Sequence, residues 1–307
     1  MSFLKHLANS LVFKFVWIFF VLNAFTLLRF LSKKCLPSYG KSNVSLEELF
    51  NSDDEVFDHF ASVAEELISE LKKSKYPQSA MSLIGLMGTI NSLKLAAFDL
   101  AEETDTHLYA IKTMLRPAIE HFLRFSYLHM EIVKHKNDAA GLEYRKYCAI
   151  SETIALIKSQ FALEADRDIQ TRVLKKLRQI DGFEISNRQL EQIVAKWSYK
   201  NIARKLDRQL NKDKEGLNFI RQLVSTYSEL SSFVHGGINA EVYYHSAFAS
   251  ETLDKEVKRE VSLFSFLAAT ARSHMLMLGC HLNPKFQTPY NEYSKKMVRL
   301  LGSMDDA

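Results

Sequence analysis

Apolar residues recur three and four positions apart through most of this chain, the spacing of helices that bury one face. Val56, Phe60, Val63, Leu67 and Leu71 mark one such stripe, and Ser52-Asp-Asp-Glu55 ahead of it has the form of a capping box. That helix should end at Tyr76-Pro77. Met81, Ile84, Met87, Ile90 and Ala97 predict a second helix over 78–103. A third spans 104–136, interrupted at Pro117, and a fourth runs from 138 to about 165 with Tyr144, Tyr147, Ile150 and Ile154 on one stripe. Residues 166–214 read as shorter, more polar helices, followed by helices over 217–234, 252–281 and 290–301. Only 241–249 has the pattern of an extended segment, and one short strand cannot form a sheet. With 5 Pro and 10 Gly in 307 residues, breakers are sparse and the fold class is all-α.

The apolar pattern loses its polar face over 11–31, LVFKFVWIFFVLNAFTLLRFL. Phe15 to Leu28 carries no charge and is bounded by Lys14 and Arg29. These 14 residues are fewer than the about 20 that a bilayer requires. Lys and Arg stems, however, lie along hydrocarbon while their heads reach the interface. Counted from 11 to 31 the segment makes roughly 30 Å of helix, long enough to span. A cleaved signal would be followed by a small-x-small site, whereas RFLSKKCLPSYG is basic and has none. An interfacial helix would need a clearly polar face, and here only Lys14, Asn23, Thr26 and Arg29 interrupt large apolar residues. The pattern predicts a transmembrane anchor over 1–34, a linker over 35–51 and a helical domain over 52–302.

Charge sets the expected orientation. Residues 1–46 hold Lys5, Lys14, Arg29, Lys33, Lys34 and Lys41 and no acid, with four of the six after the apolar core. By the positive-inside rule the large C-terminal domain stays in the cytoplasm and the chain is single-pass. The rest of the chain is near neutral, 34 basic against 36 acidic residues, which implies no broad nucleic-acid surface. Within it, 166–214 has thirteen basic and seven acidic residues: a solvated face, or a surface that meets the phosphates of lipid headgroups or of RNA. Cys35, Cys148 and Cys280 are odd in number and far apart, so neither a disulfide framework nor a metal site is expected.

Two polar constellations stand out. In Leu115-Arg-Pro-Ala-Ile-Glu-His-Phe-Leu-Arg124, Arg116 and Glu120 sit four apart on one helix face flanked by apolar residues. In Tyr227-Ser-Glu-Leu-Ser-Ser-Phe-Val-His-Gly-Gly237, Tyr227, Ser231 and His235 line one face, and Gly236 suits the left-handed position past a helix end. Each has an ordinary reading, an ion pair fastening helices and a capped helix. The sharper expectation is a binding pocket formed by Arg116, Glu120, Tyr227, Ser231 and His235. His274 and His281, with Met275, Met277 and Cys280 nearby, read as core filler rather than metal ligands. No Walker loop, G-x-S-x-G, zinc cluster or dinucleotide fingerprint occurs, and no cofactor is expected.

Taken together, Arg116 and Glu120 on an apolar helix, Trp197 on a later one, and Tyr227, Leu230, Ser231 and Val234-His235-Gly236 resemble a bacterial helical family related to HEPN domains. The resemblance covers roughly 55–280. It implies a multi-helix bundle, placement in a bacterial inner membrane for an anchored member, and a link to toxin and anti-phage defence systems. Many HEPN members are metal-independent ribonucleases with an Arg, four to six residues, then a His. That arginine is missing before His235, where Leu230, Glu229 and Ser228 stand at those distances. Arg116-x4-His121 and Arg124-x4-His129 keep the spacing. The expectation is therefore a membrane-anchored effector that senses or binds a protein partner or a second copy of itself. The alternative is a tethered ribonuclease using Arg116 and His121, or Arg124 and His129.

Overall fold

The computed structural model describes residues 45–103, 107–160, 175, 186–210, 219–249 and 252–305. The expected anchor over 1–34 lies outside them, and the basic stretch 166–214 is described chiefly over 186–210. Among the described residues there are ten α-helices and no strand, so the all-α class holds.

Helix α1 (Leu46–Lys73) begins six residues before the predicted capping box. The same S-x-x-E pattern occurs at Ser45-Leu-Glu-Glu48, and that copy is the cap: Ser45 Oγ accepts from the Glu48 amide at 3.1 Å, and Glu48 Oε2 accepts from the Ser45 amide at 2.7 Å. The expected linker therefore ends at Ser45. Ser52–Glu55 lies inside the helix, where Asp53 is drawn into the core instead of capping anything. Helix α2 (Pro77–Glu103) opens on proline, and Asp138 accepts from the amides of Gln78 at 2.9 Å and Ser79 at 2.7 Å. Gly141 packs against that start. A Cβ there would lie 2.3 Å from the Ser79 nitrogen, so only glycine fits.

Helix α3 (Leu108–His135) runs unbroken through Pro117, contrary to the predicted interruption. Proline removes one ladder bond, but Leu115, Ala118 and Ile119 around it are fully buried and hold the helix on both sides of the gap. Helices α4 (Ala139–Gln160), α5 (Asn187–Lys196), α6 (Tyr199–Leu210) and α7 (Phe219–His235) follow. Gly236, at φ +63°, ends α7 as its sequence implied. The segment expected to be extended is helix α8 (Ile238–Ala249). Its aromatic content suggested a strand, but the Ser232 hydroxyl accepts from the Ala240 amide at 3.1 Å, and Tyr243 donates to Glu256; tertiary partners override local preference. Helix α9 (Leu253–Leu282), a 3-10 turn (Pro284–Phe286) and α10 (Gln287–Asp305) complete the described chain.

Helix α9 is the axis of the bundle, packed on α1, α2, α3 and α10, while α3 also meets α4, α6 and α7. Two helices, Pro77–Glu102 and Leu253–Leu282, are long and apolar enough to cross a membrane by length and composition. Both carry buried charges satisfied by neighbouring helices, which marks them as core elements of the bundle. Lys94 on α2 pairs with Asp53 on α1, which also accepts from Ser265 on α9. Glu260 on α9 pairs with Lys112 on α3, and Arg259 bridges Glu260 at 2.6 Å and Glu256 at 2.8 Å. Burial would raise the Glu260 carboxyl, but Lys112 and Arg259 hold it below the ordinary carboxylate range.

A histidine stack fills the other side of α3. His129 and His274 lie ring on ring at 4.8 Å, with Phe125 beside them. Burial pushes His129 well below its ordinary pKa, aided by His274 and His281, and pushes His274 from 6.5 to about 4. Around the stack, burial and then Lys136 also lower His281. The folded state thus favours neutral imidazoles. The His274 contribution is complete above pH 6.5 and is lost as pH falls toward 4, amounting to roughly 3 kcal/mol. Urea denaturation across this range should show the decline, and His274→Gln should reduce it. A wild-type decline no steeper than the variant's would contradict the assignment.

Candidate functional site

Three of the residues expected to form a pocket, Arg116, Glu120 and Tyr227, come together at the seam where α3 meets α6 and α7. Apolar stripes on both faces of α3 bury Leu115, Ile119, Phe122 and Leu123, which turns Arg116, Glu120 and Arg124 toward the seam. Tyr227 reaches them from α7. The Arg116 guanidinium carbon stands 4.6 Å from the Tyr227 ring centroid, a cation–π stack. The Tyr227 hydroxyl donates to Glu120 Oε2 at 3.2 Å. Glu120 Oε1 accepts from Arg124 Nη2 at 2.5 Å, and the same nitrogen donates to the Tyr147 hydroxyl at 3.1 Å. The sequence anticipated Arg116 pairing with Glu120; Arg124 takes that carboxylate, leaving Arg116 on the aromatic ring.

His235 is a correction to the expected pocket. It is exposed at the C-terminal end of α7, two turns from Tyr227, because the helix ends there and the Gly236-Gly237 turn leads away. Ser231 is partly buried on the same face but is joined to neither Arg116 nor Glu120. The assembled set is Arg116, Glu120, Arg124 and Tyr227.

Around this set lies an aromatic cluster that sequence reasoning did not place. Trp197 is fully buried among Tyr127, Tyr144 and Tyr147 at 5.2, 4.8 and 6.3 Å, and its indole nitrogen donates to Glu143 at 2.9 Å. Lys196 pairs with the same carboxylate at 2.7 Å. Tyr199, the first residue of α6, packs its ring 4.2 Å from Tyr227. These residues come from α3, α4, the end of α5 and the start of α6, so no short motif could have gathered them. The sequence signals were Tyr144 and Tyr147 on one helical stripe and Trp197 on a later helix, with nothing to join them.

Of the two guanidiniums in this set only Arg124 bonds the Glu120 carboxylate, whose other oxygen accepts from Tyr227. Burial, then Glu120, push the Tyr227 phenol up to about 12, so it stays protonated at neutral pH. Burial alone would lower the Arg124 guanidinium, but Glu120 and the neighbouring tyrosines raise it. Arg116 is partly exposed and has no carboxylate partner among the described residues, and its Nε is shielded without an acceptor. It is an oriented cation available to an incoming anionic group.

The ribonuclease alternative meets this geometry poorly. His129 is 2% exposed and stacked inside the core, out of reach of a phosphodiester. His121 is partly buried, and burial together with Arg124 lowers its pKa. Arg124, its neighbour, is committed to Glu120 and Tyr147. Among the described residues no group of three or more His, Cys, Asp or Glu is placed to hold a metal. No protein-family model matches this chain, and neither a curated protein nor a solved structure matches it.

Proposed function

We propose that this chain is a membrane-anchored helical protein whose cytoplasmic domain binds a partner at the Arg116–Tyr227 seam, and that it acts as the effector of a bacterial anti-phage or toxin system. One observation supports the binding role above others: Arg116 is stacked on Tyr227 and, among the described residues, bonds no carboxylate, beside a Glu120 already taken by Arg124 and Tyr227. The 11–31 segment supports the anchor. The defence setting rests on the resemblance to the bacterial family related to HEPN domains, as does the reading of the bundle as HEPN-like. Its partner is a protein or a second copy of the chain.

Expression in bacterial cells tests this. The full chain should collapse the membrane potential without loss of cellular RNA. Deleting 1–34 should abolish the effect, and Arg116→Ala should weaken it strongly while the protein stays folded. His121→Ala should change little. An acid–base histidine is commonly worth about 10²–10⁴ in rate. RNA cleavage by the purified protein that drops on that scale in His121→Ala, with folding unchanged, would replace this reading with the ribonuclease.

A further inference from the structure

Helix α6 has two unlike faces. Ile202, Ala203 and Leu206 are buried against the bundle, and Tyr199 stacks on Tyr227. Opposite them, Lys200, Arg204 and Arg208 are exposed at four-residue spacing, in one row about 12 Å long. None of the three bonds a carboxylate among the described residues; Arg204 donates only to the Asn201 side chain, at 3.1 Å. Asp207, at the edge of the row, is taken by Arg221 at 3.0 Å. Among the described residues this row is cationic and unneutralised.

The chain's charge is divided in the same sense. Residues 1–46 carry six basic residues and no acid, and 166–214 carry thirteen basic and seven acidic. Everything else holds 21 basic and 29 acidic residues. Basic stretches of this kind are drawn toward an anionic surface, while the acidic remainder is repelled by it. We propose that the Lys200–Arg204–Arg208 face of α6 rests on anionic phospholipid headgroups of the membrane that holds the anchor. This inference rests on the membrane-anchored reading. The aromatics of the region argue against RNA as the occupant. Trp197 is fully buried and Tyr199 faces Tyr227, so the outer face offers no stacking platform for bases.

The test uses the full chain in nanodiscs of phosphatidylcholine, with and without phosphatidylglycerol. Each lysine or arginine at an anionic surface strengthens association about fivefold, so the row of three amounts to about a hundredfold. Chemical acetylation of Lys200, read by mass spectrometry, should slow at least about fivefold when phosphatidylglycerol is present. High salt should restore it. The exposed Lys72 and Lys295, on the far helices, should label equally in both discs. Arg204→Glu with Arg208→Glu, surface changes that leave the inner face intact, should remove the lipid dependence. Equal labelling of Lys200 in both discs by a fully incorporated chain would overturn the proposal, as would protection by polyuridylic acid and not by phosphatidylglycerol. Failure to incorporate into either disc would instead count against the anchor itself.

Discussion

Replacing Asp53 with Ala is expected to destabilise the domain by about 3–5 kcal/mol, the cost of removing one partner from a buried pair. Asp53 is fully buried and accepts from Lys94 and from Ser265. Lys94 is itself buried; burial pulls its pKa down, against Asp53, which pulls it up. A second cation, Arg272, is also buried, stacked 4.9 Å from Phe57 and bonded to the neutral Asn91 at 2.5 Å. Without Asp53, Lys94 would keep only the weaker attraction of Asp54, and Arg272 would bond no carboxylate among the described residues. Adding Lys94→Met to Asp53→Ala should recover part of the loss, a coupling readable in urea denaturation of the two single variants and the double. A loss under about 1 kcal/mol for Asp53→Ala would contradict this account of the core.

Phe20→Asp combined with Val21→Asp is expected to release the full chain from membranes. Each carboxylate would sit near the middle of the apolar segment, where a charge costs about 2.5–3.5 kcal/mol, or roughly 5–7 for the pair. The segment has no surplus length with which to slide the charges to an interface, since only Phe15 to Leu28 is free of charge. After alkaline carbonate washing the variant should appear in the supernatant while the wild type stays in the pellet. A variant that pellets like the wild type would mean that something other than this segment holds the protein.

Helical periodicity made most of the fold legible, because a buried stripe leaves the same spacing whatever it packs against. The departures share one cause, partners distant in sequence. Ser52–Glu55 resembles a cap until Lys94, forty-one residues from Asp53, claims that carboxylate. Pro117 should interrupt α3, yet buried neighbours carry the helix through. The 241–249 segment has strand-like side chains, but Glu256 and Ser232 hold it helical. The site divided in the same way. Arg116 and Glu120 were visible as a spacing on one helix, and Tyr227 as part of a second motif. That Arg124 rather than Arg116 would take Glu120 depends on Tyr147 standing behind it, from another helix. His235 was misplaced because helix spacing gives a face and not the depth at which the helix ends.

Protease accessibility of the unmodified chain tests the central claim, a single anchor with its domain in the cytoplasm, most directly. Trypsin added to inverted inner-membrane vesicles should degrade the helical domain, and trypsin added to intact spheroplasts should leave it whole. Degradation in spheroplasts, or loss of the chain from the vesicles before protease is added, would contradict the account.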